Sequence, residues 1–268
     1  RIIVTRYEDQ SVEVEDFGRG IPVDYNTKEQ RFNWELLFCE LYAGGKYNND
    51  ADESYEYSLG LNGLGLCSTQ YASEYMDVDI RRDGVQYLLH FEKGENVGGL
   101  KKESYTKKDT GTRIRWKPDL EVFTDIHVPV EYFLDIIKRQ AIVNDGVTFV
   151  FRNQVGNQFE TTEFCYQNGI VDHVKEIAGE DALTSVQFWQ TERKVRDRDD
   201  KDEYRTKINV ACAFSNRTKA IEYYWNMAVH PIKRLETHLY IKLMHISNKP
   251  PNIIKMKARL PLPMWKIA

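Results

Sequence analysis

Residues 2–16, IIVTRYEDQSVEVED, alternate apolar and polar side chains on both sides of a polar break at Glu8-Asp9-Gln10. A period of two is the spacing of a strand with one buried face, and the break reads as the turn of a hairpin. The second strand runs into Asp16-Phe17-Gly18-Arg19-Gly20. It thus delivers one carboxylate, Asp16, into a turn where Gly18 and Gly20 permit close backbone approach and conformations closed to other residues. Asp and Gly are also ordinary turn residues, so the element alone fits either a tight turn or a site.

Further on, NWELLFCELYAGGKY has helical spacing at Trp34, Leu37, Phe38 and Leu41 and predicts a helix that stops at Gly44-Gly45. A polar loop leads into SLGLNGLGLCSTQYASEY, a glycine-rich turn opening a second helix near Cys67. Strand-like runs follow in YMDVDIRR, VQYLLHFEKG and TGTRIRWKPD. VPVEYFLDIIKRQAIVNDG predicts an amphipathic helix with Tyr132, Phe133, Ile136 and Ile137 on its apolar face, and VTFVFRN a strand after it. Helices against one sheet, without a regular βαβ series, make an α+β chain of the α/β-sandwich kind.

A second unit is expected from about Cys165, with a helix in NGIVDHVKEIAG and strands in SVQFWQTE and KINVACAFSN. The charged run between those strands has mixed signs and reads as a solvated hairpin. From Met227 onward the character changes: five of the eight prolines and four of the five methionines fall there, but only one acidic residue, Glu236. Neither helical nor strand periodicity is sustained in that tail. The net charge of −4 excludes a surface that binds polyanions as a whole, so nucleic-acid contact would be local or belong to a partner. No apolar run approaches bilayer length and no signal peptide is recognised, and the four widely spaced cysteines read as free thiols of a reducing cytoplasm.

Three glycine-spaced elements occur in order: DFGRG, GLNGLG (Gly60, Leu61, Asn62, Gly63, Leu64, Gly65) and TGT (Thr110, Gly111, Thr112). With VEVEDFGRGIPVD, ELYAGGKY and TGTRIRWKPD, they resemble the ATP-binding domain of type IIA DNA topoisomerases, in particular the bacterial gyrase B and topoisomerase IV B subunits, within the GHKL superfamily. The resemblance runs from residue 1 to about Tyr224. It implies a GHKL (Bergerat) ATPase domain at 1–166 that lacks its N-terminal helix, a partial ribosomal-S5-like transducer domain at 167–224, and an aberrant tail at 225–268.

The resemblance also implies roles. Asp16, an acceptor-only carboxylate, takes a hydrogen bond from the exocyclic amino group of adenine, where guanine would present a repelling carbonyl oxygen. Ile21 and Pro22 supply an apolar wall. Thr112 joins Asp16 through a water. Arg19 packs over the adenine and pairs with an acid upstream, or is an ordinary surface arginine. Leu37 lines the adenine pocket, or is a plain core leucine. The loop Gly60–Gly65 brings backbone N–H groups at a helix start to the phosphates. Lys46 is the lid lysine that helps hold them, or a solvated lysine. Leu59 departs from the family, which usually has glycine there.

The family's catalytic glutamate and its magnesium-holding asparagine are expected before Arg1, so the chain as given is expected to bind ATP with Mg2+ but not to hydrolyse it. No Gln-x-Lys loop follows Tyr224. A shifted reading frame is expected for the tail: Trp225-Asn226 and Met227-Ala228 would then force Glu and Gly codons, and their neighbours permit a family-like Leu-Glu-His-Gly-Gly. In the intact protein the partners would be DNA, the A-type subunit and a second copy of the ATPase subunit, which dimerises on ATP binding. The alternatives are another GHKL ATPase, MutL-like or a sensor kinase, or a non-functional pseudogene product.

Overall fold

The computed structural model describes residues 1–43, 64–195, 204–215, 220–225, 228–229 and 253–259. The chain divides into two compact units, Arg1–Ile137 with Thr148–Phe164, and Lys138–Val147 with Cys165–Ala268.

The first unit is built on a nine-stranded sheet. The expected hairpin is β1 (Ile2–Arg6) and β2 (Val12–Asp16), antiparallel with Val4 opposite Val14. Its turn is closed by Tyr7 and Ser11, with Gln10 in a left-handed conformation. A small pair, β3 (Tyr25–Asn26) and β4 (Arg31–Phe32), leads into α1 (Asn33–Cys39), and α2 (Gly65–Tyr71) follows. Then come β5 (Ser73–Arg82), β6 (Val85–Glu92), β7 (Glu95–Asn96), β8 (Lys101–Ser104) and β9 (Gly111–Pro118). After α3 (Val130–Val143) the strands β10 (Phe149–Val155) and β11 (Gln158–Phe164) complete the sheet. The order is β11-β10-β1-β2-β9-β5-β6-β7, with β8 on β6. Among the described strands of this sheet, β1 and β10 alone pair in parallel, so the chain returns late to cover the outer edge of its first strand.

Period-two alternation divides the two faces of this sheet. Met76, Val78 and Ile80 of β5 and Leu89 and Phe91 of β6 are buried against Val23 and Phe38, with Trp34, Leu37, Leu66, Ile114 and Trp116 packed around them. Each such large side chain contributes about 1.5–3 kcal/mol on burial. The opposite face carries rows of alternating sign. Arg113 of β9 pairs with Asp79 of β5 at 2.9 Å, Arg81 of β5 with Glu15 of β2 at 2.7 Å, and His90 of β6 with Asp77 of β5 at 2.7 Å.

Two helices differ from their predicted extent or facing. α1 ends at Cys39, because Glu40 is extended and Tyr42 has φ +63°. Its start is held by Glu35, whose carboxylate accepts from the Phe32 N–H at 2.8 Å. Leu36 and Phe38 are fully buried, whereas Leu41 is half exposed. In α3, Tyr132 and Ile136 are exposed and the buried positions are Ile137, Ala141, Ile142 and Val143, with Phe133 stacked on Phe151 at 5.4 Å. Residues up to Ile137 fall in the first unit and those from Lys138 in the second.

The second unit contains α4 (Ile170–Ala178) and a five-stranded sheet ordered β12-β13-β16-β14-β15. These strands are β12 (Gln187–Val195), β13 (Tyr204–Cys212), β14 (Ala220–Trp225), β15 (Ala228–Val229) and β16 (Ile253–Arg259). Its core joins Ile142 and Val143 to Ile170, Val174, Ala178, Ala211 and Ala213. β12 and β13 form the expected hairpin, Gln187 opposite Cys212 and Val195 opposite Tyr204. His173, 5% exposed, lies between carboxylates: Nδ1 is 3.3 Å from Glu176 and Nε2 is 3.4 Å from Glu222. The Lys138 ammonium and the Tyr166 hydroxyl both donate to Glu176 at 2.6 Å. The tail, expected to lack strand periodicity, places β16 between β13 and β14. The run IIKMKAR does alternate over its last six residues, a stretch short enough to be masked by the prolines around it.

Candidate functional site

The geometry around Asp16 is set by three strand ends. β2 stops at Asp16, β9 starts at Gly111, and β5 stops at Arg82. β9 lies between the other two, with Glu15 opposite Arg113 on one side and Arg81 opposite Gly111 on the other. Asp16 and Thr112 therefore follow each other at the same end of the sheet.

The turn after β2 is fastened at nearly every residue. The Gly18 N–H donates to Asp16 Oδ1 at 2.8 Å, and Thr110 Oγ1 donates to the Gly18 carbonyl at 2.6 Å. The Ile21 N–H donates to Thr112 Oγ1 at 3.1 Å, and Arg82 Nη1 reaches the Gly20 carbonyl at 3.5 Å. Gly20 has φ +79°, and a Cβ there would meet the Arg81 carbonyl oxygen at 2.9 Å. At Gly111, φ is +146°, and a Cβ would overlap the Asp16 carbonyl oxygen and stand 3.0 Å from its carbon. Both glycines are thus required by backbone conformation and by the closeness of another main chain.

This lacing determines what Asp16 can do. One carboxylate oxygen is engaged by the Gly18 N–H, which orients the group and leaves the other oxygen for a donor from outside the turn. Thr112 is 4% exposed and accepts from Ile21, so its own hydroxyl proton remains to be donated. A carboxylate acceptor and a hydroxyl on neighbouring strand ends suit a flat ligand edge with an N–H donor.

Of the other predicted site residues, Ile21 is half-buried against the core cluster and Pro22 is half-buried next to it. Leu37 also packs against that cluster. Arg19 is exposed at the tip of the turn. Leu64 precedes α2 and Gly65 is its first residue; a Cβ at Gly65 meets nothing within 4 Å among the described residues. Lys46, Gly60, Leu61, Asn62 and Gly63, with Leu59, lie outside the described residues. Sequence reasoning did not single out Glu15, Arg81, Arg82 and Asp109, which surround the turn. Only the consecutive arginines ahead of Asp83-Gly84 hinted at them.

Other features lie apart from this turn. A groove of about 630 Å³ runs over the charged sheet face, lined by Tyr7, Asp77, Asp79, His90 and Arg113 among others, and those charges largely pair with one another. All four cysteines are free, and among the described residues no helix is long and apolar enough to cross a membrane.

This mixed, largely antiparallel sheet has the fold of solved gyrase B and topoisomerase 4 ATP-binding domains. The chain matches the 43K ATPase domain of Thermus thermophilus gyrase B, solved in complex with an aminocoumarin, with a TM-score of 0.68 over 99% of this chain and 71% of that one, at 21% identity. By sequence, it belongs to the family of bacterial type II topoisomerase ATPase subunits, the B subunits of gyrase and topoisomerase 4. It is 36% identical over 177 residues to the DNA topoisomerase 4 B subunit of Salmonella typhimurium, covering 66% of this chain and 27% of the relative. It is 36% identical over 203 residues to the DNA gyrase B subunit of Thermotoga maritima, covering 75% of this chain and 31% of the relative. The chain thus spans between a quarter and a third of the length of these relatives. No protein-family model matches it.

Proposed function

We propose that this chain is the ATP-binding portion of a type II DNA topoisomerase B subunit, cytoplasmic, acting with DNA, an A-type subunit and a second copy of itself. ATP binding would favour a closed dimer and hydrolysis would reset it, coupling the nucleotide to strand passage. The observation that carries the reading is the half-engaged Asp16 carboxylate, whose remaining oxygen suits the adenine amino group, held in a turn so close to β9 that a Cβ at Gly111 would strike the Asp16 main chain. Asp16, Gly18, Gly20, Ile21, Pro22 and Thr112 hold the base, with Arg19 over it and Leu37 behind the wall. Leu64 and Gly65, with Lys46 and residues 60–63, serve the phosphates.

Mg2+ would neutralise phosphate charge during hydrolysis. The ion would enter with the nucleotide, held by its phosphates; among the described residues no three His, Cys, Asp or Glu side chains converge. In this reading the chain alone binds but does not hydrolyse ATP. We further hold to the division at 1–166 and 167–224 and to a shifted frame from about Trp225, which the coding nucleotides test. The functional test is titration of the 268-residue chain with a non-hydrolysable ATP analogue and its GTP counterpart. Binding selective for the ATP analogue, abolished by Asp16→Asn, is expected; equal binding of both, or unchanged binding by the variant, overturns the reading.

A further inference from the structure

The Arg81 side chain lies on the charged sheet face, yet its partners belong to the segments that frame the Asp16 turn. Nη2 donates to Glu15 Oε1 at 2.7 Å, and Nη1 donates to Asp109 Oδ2 at 2.9 Å. Glu15 is the residue before Asp16. Asp109 is the residue before Thr110, Gly111 and Thr112, and it also accepts from the Tyr105 hydroxyl at 2.8 Å.

Topology makes this bridge unusual. Arg81 is on β5 and Glu15 on β2, and β9 runs between them. A side chain of the middle strand would normally separate two such residues. Arg81 is paired in register with Gly111, which has none, so the guanidinium passes over β9 to the second strand. The arginine side chain is only 12% exposed, and Glu15 is 21% exposed. A planar fork with donors on both ends suits two carboxylates in fixed geometry, and partial burial keeps the pair from being screened as a surface pair would be. The main chain of Arg81 takes part as well, since its carbonyl packs where a Cβ of Gly20 would stand.

We infer that Arg81 is a positioning residue of the nucleotide site, a clamp that holds the end of β2 and the start of β9 at the spacing at which Asp16 and Thr112 read one base edge together. The inference rests on the proposed nucleotide reading and deepens it. Arg81 touches no ligand; it acts through Glu15 and Asp109 on the placement of an acceptor and a hydroxyl. Purine discrimination depends on that placement, because a carboxylate displaced by a fraction of an ångström no longer meets the amino group squarely.

The test measures dissociation constants of non-hydrolysable ATP and GTP analogues, with thermal unfolding, for the 268-residue chain and four variants. Arg81→Gln raises the dissociation constant of the ATP analogue on the order of tenfold and narrows the preference over the GTP analogue, with a small change in melting temperature. Arg81→Lys recovers part of the loss. Asp109→Asn removes one arm in an exposed loop and gives a smaller change of the same kind, which keeps the inference testable should Arg81→Gln fold poorly. Affinity and preference at wild-type values in Arg81→Gln, or both analogues weakened by one common factor alongside a lower melting temperature, overturn the inference. Asp16→Asn, run in parallel, separates the two levels: wild-type affinity there overturns the nucleotide reading itself.

Discussion

Replacing Gly111 by alanine tests how closely β2 and β9 must approach. The added methyl would overlap the Asp16 carbonyl oxygen and stand 3.0 and 3.1 Å from the Asp16 carbonyl carbon and the Phe17 Cα. Carbon atoms prefer roughly 3.5–4.0 Å, so the strands must part by roughly half to one ångström at this point. Two costs add. A non-glycine residue at φ +146° carries about 1–3 kcal/mol of backbone strain. Forcing the packed main chains apart costs about 1–3 kcal/mol more. The sum, about 2–6 kcal/mol, is a large part of a typical stability of about 5–15 kcal/mol. For a chain of this size it corresponds to a fall of roughly 5–20 °C in melting temperature. Differential scanning calorimetry reads that fall, and titration with the ATP analogue at a temperature where the variant is still folded should show affinity lost beyond it. A Gly111→Ala protein with wild-type melting temperature and affinity would refute the claim that this glycine is required by contact between the two strands.

Three further outcomes are expected. Gly65→Ala meets no neighbour within 4 Å among the described residues, so its melting temperature should hold or rise slightly, while affinity for the ATP analogue falls if phosphates approach this helix start; unchanged affinity in isothermal titration would remove Gly65 from the site. Hydrogen bonds from the His90 ring to Asp77 and Glu92 raise its pKa. That stabilisation is therefore fully present below the unfolded pKa of about 6.5 and is lost as pH rises through the raised folded value. The difference in melting temperature between wild type and His90→Gln should accordingly shrink as pH rises above about 6.5. At Glu176 burial opposes ionisation, but hydrogen bonds from Lys138, Tyr166 and His173 outweigh it and lower the pKa to about 2. Its contribution is present above the ordinary value of 4.5 and is lost as pH falls towards 2, so Glu176→Gln should flatten acid unfolding followed by circular dichroism in that window.

Strands were the most legible elements. Their alternation over β1, β2, β5, β6 and β9 marks one buried face, and the buried partners Met76, Val78, Ile80, Leu89 and Phe91 are the ones that alternation selects. Helix facing was less legible. Tyr132 and Ile136 continue a helical stripe in α3, yet both are exposed, because periodicity cannot tell which of two cores a helix will serve along its length. β11, read from QFETTEF, escaped notice because its residues are nearly all exposed at a sheet edge and carry little hydrophobic signal.

The same division holds at the site. Asp16, Gly18 and Gly20 could be singled out in the chain because a carboxylate at a strand end with glycines beside it is a local feature, legible in residue type and spacing, and Thr112 only through the resemblance of its Thr-Gly-Thr run to the family. Arg81, Arg82, Glu15 and Asp109 could not, since each gains its role only through residues 28 to 66 positions away, such as Asp109 for Arg81 and Arg81 for Glu15. Local chemistry determines which residues can form the turn and its acceptor. Only the pairing of β2, β9 and β5 decides that one guanidinium spans a glycine to join them, because strand order is an outcome of the whole sheet's packing and not of any segment within it.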